Sequence, residues 1–300
     1  MLSINIPVYN IEVVGLVKQL VKQADVLDIK YEVRVYDDGS DEIIKSINRH
    51  LLTISNVVYN ELDKNAGRAA IRNKMGLESE FEYLLFIDAD SSLVKDDYLA
   101  TFINHIKSKR ILCGGTAYSA ERPKEQEKLL RWCYGQKREA VSATVRNRNK
   151  GFIITSNNFL IEKDVFLQIH FRENLKEYGH EDTLLGYDLF KSDFEIFHIE
   201  NPVEHTGLES SQLFLAKTKM ALKNLKLICD NLLGGEADFI SQVNFLRQFN
   251  RVTIVFPSGL FRWFFKRYHK RLEKNLTGEK PNLYYFDLYK MCYYSTLKNR

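Results

Sequence analysis

Tyr83-Leu84-Leu85-Phe86-Ile87-Asp88-Ala89-Asp90 joins a short apolar run to two carboxylates. A run of this length, rich in aromatic and branched side chains, reads as a strand buried on both faces. The carboxylates follow where that strand leaves its sheet, which is where open α/β sheets bind ligands. Side chains two apart on an extended segment share a face, so Asp88 and Asp90 are expected to address one ligand. Paired hard oxygens beside substrate phosphates suit Mg2+ or Mn2+. A plain strand-to-helix loop that uses Asp as a cap is the competing use of the same residues.

Outward from this stretch, strand and helix patterns alternate. Strands are expected at 2–9, 31–36, 57–59, 83–87 and 111–116. Helices are expected at 11–24, 41–50, 67–77 and 99–106. This alternation predicts an α/β fold with a mostly parallel sheet covered by helices on both faces. The middle changes character. Residues 121–140 read as a charged helix and 144–151 as a basic mobile loop. A strand is expected over 152–161, a helix from Glu181, a strand at 194–198, and a closing segment at 202–206. Beyond Glu209 the pattern is helical and basic, so the chain is expected to divide into 1–209, with halves 1–116 and 117–209, and a helical extension at 210–300.

Bulk properties narrow the class. With 45% hydrophobic and 27% charged residues over 300 positions the chain is globular. A net charge of +4 is too small to argue a nucleic-acid partner for the whole protein. Cys113, Cys133, Cys229 and Cys292 form no C-x-x-C pair, so reduced thiols in a cytoplasmic setting are expected. The opening Leu2-Ser3-Ile4-Asn5-Ile6 has no basic leader, and no secretory signal is expected. No apolar run approaches the ~18 residues of a membrane-spanning helix.

Four polar segments stand where strands should end: Pro7-Val8-Tyr9-Asn10, Asp37-Asp38-Gly39-Ser40, Asn65-Ala66-Gly67-Arg68 and Asp88-Ala89-Asp90. In order and spacing, with Asn73 completing an N-x-G-x(5)-N element, they resemble the nucleotide-sugar-binding half of the family 2 glycosyltransferases, whose fold is called GT-A. The resemblance covers about 2–209. Each segment also has a physical rationale. A carboxylate at Asp38 can accept the imide N–H of uracil, and Tyr9 can stack on the base. Gly67 at a helix start lets backbone approach the nucleotide, and Arg68 can offset diphosphate charge. The competing roles are a turn stabilised by Asp and Gly for Asp37-Asp38-Gly39-Ser40, core for Tyr9, and a solvated helix face for Arg68 and Arg72.

Tyr178-Gly179-His180-Glu181-Asp182 resembles the W-G-x-E-D segment of inverting transferases that handle galactose or N-acetylgalactosamine, with Tyr178 in place of Trp. The resemblance implies that Asp182 is the base that takes the acceptor proton, with Glu181 binding hydroxyls beside it. It also implies that His205, about two dozen residues further on, is a metal ligand with Asp90. Imidazole beside carboxylate and phosphate oxygens favours Mn2+ over Mg2+. Asp88 would then lie against ribose or the metal shell.

The expected reaction is a single displacement on a UDP-sugar, with inversion and with Asp182 as base. The acceptor is expected to be a glycan or a lipid-linked acceptor in surface polysaccharide synthesis. One rival is a nucleotidyltransferase, which normally opens on a Gly-rich, basic phosphate loop where this chain has Pro7-Val8-Tyr9-Asn10. Another is a non-catalytic sugar-nucleotide-binding scaffold of a polysaccharide assembly. Finally, Phe261, Phe264, Phe265, Tyr268 and Leu272 fall at helical spacing among Lys and Arg. This basic amphipathic pattern over 260–274 reads as a helix for an anionic membrane surface, or as one packed on the rest of the chain. The first alternative would place the protein peripherally on the inner face of the cytoplasmic membrane.

Overall fold

The Tyr83–Ile87 run forms a strand that feeds two cores in turn. Leu84 and Phe86 enter one, Leu85 and Ile87 the other, and all four are fully buried. This is the two-residue period of a strand covered on both faces. A computed structural model describes residues 1–148, 151–175 and 178–297. The described residues divide into two compact units, 1–118 with 140–175 and 181–207, and 119–139 with 178–180 and 208–297.

The first unit holds all the strands of the described residues: β1 (Leu2–Val8), β2 (Tyr31–Asp37), β3 (Val57–Glu61), β4 (Tyr83–Ile87), β5 (Ser91–Leu93), β6 (Ile111–Cys113), β7 (Thr116–Ala117), β8 (Asn158–Glu162), β9 (Phe197–His198) and β10 (Val203–His205). Seven make one sheet in the order β3-β2-β1-β4-β8-β6-β9, and only β8 runs antiparallel to its neighbours. On one face, Ile4, Val33 and Leu85 pack with Val17 and Leu20 of the helix Val14–Val26 and with Leu99 and Phe102 of the helix Tyr98–Ile106. On the other, Phe86, Phe159 and Ile161 pack with Ile71 and Met75 of Arg68–Glu78 and with Leu185 and Leu189 of Glu181–Lys191. A second sheet, β5-β10-β7, sets His205 opposite Ser91, one residue beyond Asp90.

Three sequence expectations are corrected here. The expected loop at 144–151 is a helix, Ala143–Arg148, over its described part, while Asn149 and Lys150 lie outside the described residues. Its basic look misleads because Arg146 is not solvated: it donates to the carbonyls of Cys113, Gly114, Val141 and Ile199. Gly115, at φ +93°, leaves the room that this guanidinium fills, and the expected 111–116 strand is split there into β6 and β7. The expected 152–161 strand is regular only over β8. Phe152 and Ile154 are nevertheless buried, with Phe152 packed edge-on against Tyr187.

The second unit is helical. Leu130 packs with Leu215, Leu272, Leu276, Phe286 and Tyr289, which ties the helices Leu129–Tyr134, Ser211–Leu227, Ser258–Leu276 and Leu283–Thr296 around one core. Phe264 and Phe265 are half-buried against this core, and Phe265 lies over Tyr289 at 5.5 Å. Phe264, Phe265 and Leu272 of the expected stripe therefore face protein.

Candidate active site

The first two polar strand ends brace one another. Asn10, at φ +55°, accepts the Asp41 N–H through Oδ1 at 2.8 Å, while its own N–H reaches Ser40 Oγ at 2.7 Å. Asp37 is fully buried and accepts the Ser40 N–H at 2.6 Å, which closes the Asp37–Ser40 turn. Pro7 lies within β1, and Tyr9 beyond it stands 53% exposed, with its ring available for stacking.

Asp38 spans from this turn to the next segment. Its two oxygens accept the N–H groups of Ala66 at 2.6 Å and Gly67 at 3.1 Å. Burial pushes its carboxyl above the usual range, only partly opposed by these two hydrogen bonds. Gly39 permits the approach: a Cβ there would lie 2.9 Å from the Asn65 nitrogen. Asn65 itself is exposed. Gly67, at φ +92°, turns the chain into the helix Arg68–Glu78.

That helix carries the cations. Arg68 and Arg72, four residues apart, share one face. Arg72 is not on a solvated face: its side chain is 3% exposed and pairs with Asp88. Arg68 donates to Glu181 Oε1 at 2.5 Å and lies 3.6 Å from Asp88 Oδ2. Asn73, grouped with the donor segments by its motif, instead holds protein. It donates to the Phe171 carbonyl and to Glu173, both at 2.8 Å, and accepts the Phe171 N–H at 3.0 Å.

After β4 the chain turns sharply, with the Ser91 N–H on the Asp88 carbonyl. Asp88 and Asp90 therefore do not sit on an extended segment, and each finds its own partner. Asp88 faces the two arginines. Asp90 Oδ2 lies 3.4 Å from His205 Nδ1. Ala89 between them packs on the adjoining core. Burial raises the Asp90 carboxyl, but its hydrogen bond to His205 and the His205 and Arg68 charges outweigh that and hold it below the usual range. His205 is steadied by the edge of Tyr118, with ring centroids 5.5 Å apart.

Glu181 and Asp182 open the helix Glu181–Lys191. Burial raises Glu181, yet the Arg68 and Arg72 charges dominate and keep it below the usual range. The Arg68 and Arg72 charges also act to lower Asp182, but there they are outweighed. Burial, and then the Glu181 charge beside it, push its carboxyl up to about 6, although it accepts the Thr183 N–H at 2.7 Å. Adjacent carboxylates with divergent proton affinities are an acid/base signature.

Among the described residues no cluster of three or more His, Cys, Asp or Glu could hold a metal by itself. The Asp90–His205 pair fits a divalent ion that shares its shell with phosphates and water. Neighbouring octahedral ligands at ~2.1 Å from an ion stand about 3.0 Å apart, somewhat less than the observed 3.4 Å, so a modest side-chain adjustment would bring both onto one ion. A Cβ at Gly207 would lie 2.4 Å from Asp90 Oδ2, so the glycine keeps that oxygen accessible. Gly207 and the buried role of Arg72 escaped the sequence reading. Only the four-residue spacing of the arginines signalled one of them.

A model of glycosyl transferase family 2 matches residues 3–169.

The chain belongs to glycosyl transferase family 2.

Its fold is GT-A, and it is a glycosyltransferase. Solved structures with similar folds include S. aureus TarS 1–349 in complex with UDP-GlcNAc, at 17% identity and a TM-score of 0.51, covering 98% of this chain and 89% of that one. Another is the mannosyltransferase PcManGT from Pyrobaculum calidifontis in complex with GDP-Man and Mn2+, at 12% identity and a TM-score of 0.55, covering 97% and 85%. At such identities the likeness is one of fold. Comparison with curated proteins returns no match.

Proposed function

We propose that this glycosyltransferase moves a hexose or N-acetylhexosamine from a UDP-sugar to a glycan or lipid-linked acceptor, with inversion and with a divalent metal. The reading assigns it to surface polysaccharide synthesis, peripherally on the inner face of the cytoplasmic membrane. The observation that carries it is the split between the two neighbouring carboxylates, Asp182 raised to about 6 and Glu181 held low by arginine. A carboxylate of that strength is a competent base near neutral pH.

In this reading Pro7, Tyr9, Asn10, Asn65 and Gly67 border the base and ribose, and Asp38 sits at the uracil edge. Asp38 already accepts two backbone N–H groups, and each of its oxygens keeps a lone pair with which to accept from a base. Asp90 and His205 would hold Mn2+, or Mg2+, which when bound neutralises charge on the departing diphosphate. Arg68 adds positive charge on the same side and keeps Glu181 ionised. Asp182 takes the acceptor proton as the new bond forms, and one base with no second nucleophile gives inversion. Glu181 hydrogen-bonds sugar hydroxyls beside it.

A panel of nucleotide sugars tests the reading through metal-dependent hydrolysis and product stereochemistry by NMR. Inverted product from a UDP-sugar is expected. A retained anomer would refute the mechanism, and a preference for GDP- or CMP-sugars would refute the role of Asp38. Specific donor binding without hydrolysis or transfer would favour the scaffold.

A further inference from the structure

The helices Asn244–Val255 and Ser258–Leu276 meet at a turn whose apolar side chains stand exposed among the described residues. Ile254 is 84% exposed and Trp263 57%, and Val255, Phe256 and Leu260 beside them are exposed as well. Isolated exposed apolar residues are ordinary, but a contiguous tip of five large ones marks an interaction surface.

The charge around the tip has one sign. Residues 244–276 hold eight Lys and Arg against a single acid, Glu273, a net of +7 in a chain whose whole net charge is +4. Glu273 is already engaged by Tyr289 and Lys219. Arg251, Arg262, Lys266, Arg267, Lys270, Arg271 and Lys274 are all exposed, and none makes an ion pair among the described residues. At 100° per residue, Leu260 and Trp263 fall on the same side of their helix as Arg267, Lys270 and Lys274. The opposite side carries Phe265, Leu272 and Leu276 into the core.

We infer that the 254–263 tip inserts into an anionic lipid surface, with the flanking cations on the headgroups. Aliphatic side chains at the end, an indole beside them and a basic collar match the layers of a membrane interface from acyl boundary to headgroup. An acidic polymer would satisfy the charge but leave five apolar side chains in water. A second copy would bring the same positive field against itself. This inference rests on the membrane-surface location proposed above and changes the residues responsible, because Phe264 and Phe265 are turned to the protein core.

The test is co-sedimentation of the full chain with phosphatidylglycerol-containing vesicles against phosphatidylcholine alone. Binding is expected only to the anionic vesicles and should weaken as salt screens the collar. Tryptophan emission should shift to the blue on binding, a shift lost in Trp263→Phe. Val255→Ser with Leu260→Ser and Trp263→Ser should lower vesicle affinity by about tenfold or more, the size expected for uncovering several apolar side chains, with no fall in melting temperature. Phe264→Ser with Phe265→Ser should lower the melting temperature. Wild-type binding that the tip substitutions leave intact would overturn the inserted tip while leaving the surface location standing. No binding to anionic vesicles would overturn both. Light scattering that shows an oligomer in wild type and a monomer in the tip variant, or retention on an acidic polysaccharide but not on vesicles, would also overturn the proposal.

Discussion

Arg68 Nε donates to Glu181 Oε1 at 2.5 Å, although 113 positions separate the two residues in the chain. Through the same guanidinium, 3.6 Å from Asp88, the segment after β4 is linked to the start of the helix Glu181–Lys191. Arg68 is 43% exposed, so the pair contributes little to stability and its value is electrostatic.

Arg68→Met is expected to reduce transfer about tenfold or more while leaving the melting temperature nearly unchanged. Loss of the counter-charge leaves Glu181 free to gain a proton and moves Asp182 with it. Steady-state kinetics beside thermal melts check this. Arg68→Lys should restore only part of the rate, because an ammonium lacks the guanidinium fork.

The rate of transfer should fall as pH drops through about 6, the value to which burial and the Glu181 charge raise Asp182. The base must be ionised, so the loss lies on the acid side and should approach tenfold per pH unit below that point. Asp182→Asn should lose ~10²-fold or more at pH 7.5 and flatten this limb of the profile. Unchanged donor affinity in the same variant separates the base from a donor contact.

The same carboxyl predicts a stability effect of opposite use. Its folded-state value lies above the unfolded value of 3.8, so the folded chain holds the proton more tightly. The stabilisation from protonation is present below that unfolded value and is lost as pH rises through about 6. Asp182→Asn should therefore melt higher than wild type at pH 8 and no higher at pH 4, which calorimetry can follow.

Gly207→Ala tests the metal assignment without replacing a ligand. The added Cβ would press to 2.4 Å from Asp90 Oδ2, so Mn2+-dependent UDP affinity should weaken about tenfold, with metal-independent affinity unchanged. Calorimetric titration of UDP with and without Mn2+ reads both. Equal UDP affinity in the two conditions for wild type would remove Asp90 and His205 from the metal site.

Asn73→Ala is expected to behave as a stability mutation. It breaks hydrogen bonds to Phe171 and Glu173 and leaves a buried N–H and carbonyl unpaired, at a cost of about 1–3 kcal/mol. Denaturant melts should show that loss, while donor KM stays within about twofold once folded protein is compared.

The sequence alone determined the α/β order and the family. Period-two burial, turn residues after strands and a D-A-D at a strand end are local signals, carried by neighbours in the chain. The alternation of Leu84, Leu85, Phe86 and Ile87 between two cores was legible for that reason. Tertiary structure decided what charge and polarity mean at each place. Arg72 and Arg146 look solvated in sequence, yet each is taken into the protein by acceptors from distant segments, Asp88 for one and four carbonyls for the other. Asn73 carries a donor-segment motif but spends its hydrogen bonds on Phe171 and Glu173. In the C-terminal helices, the 3.6-residue period identified an apolar stripe but not what covers it. Only packing around Leu130 turned Phe264 and Phe265 inward and left Ile254 and Trp263 outside. Hydrophobic and ionic partners are chosen by distance in space, and a local pattern records only that a partner is required.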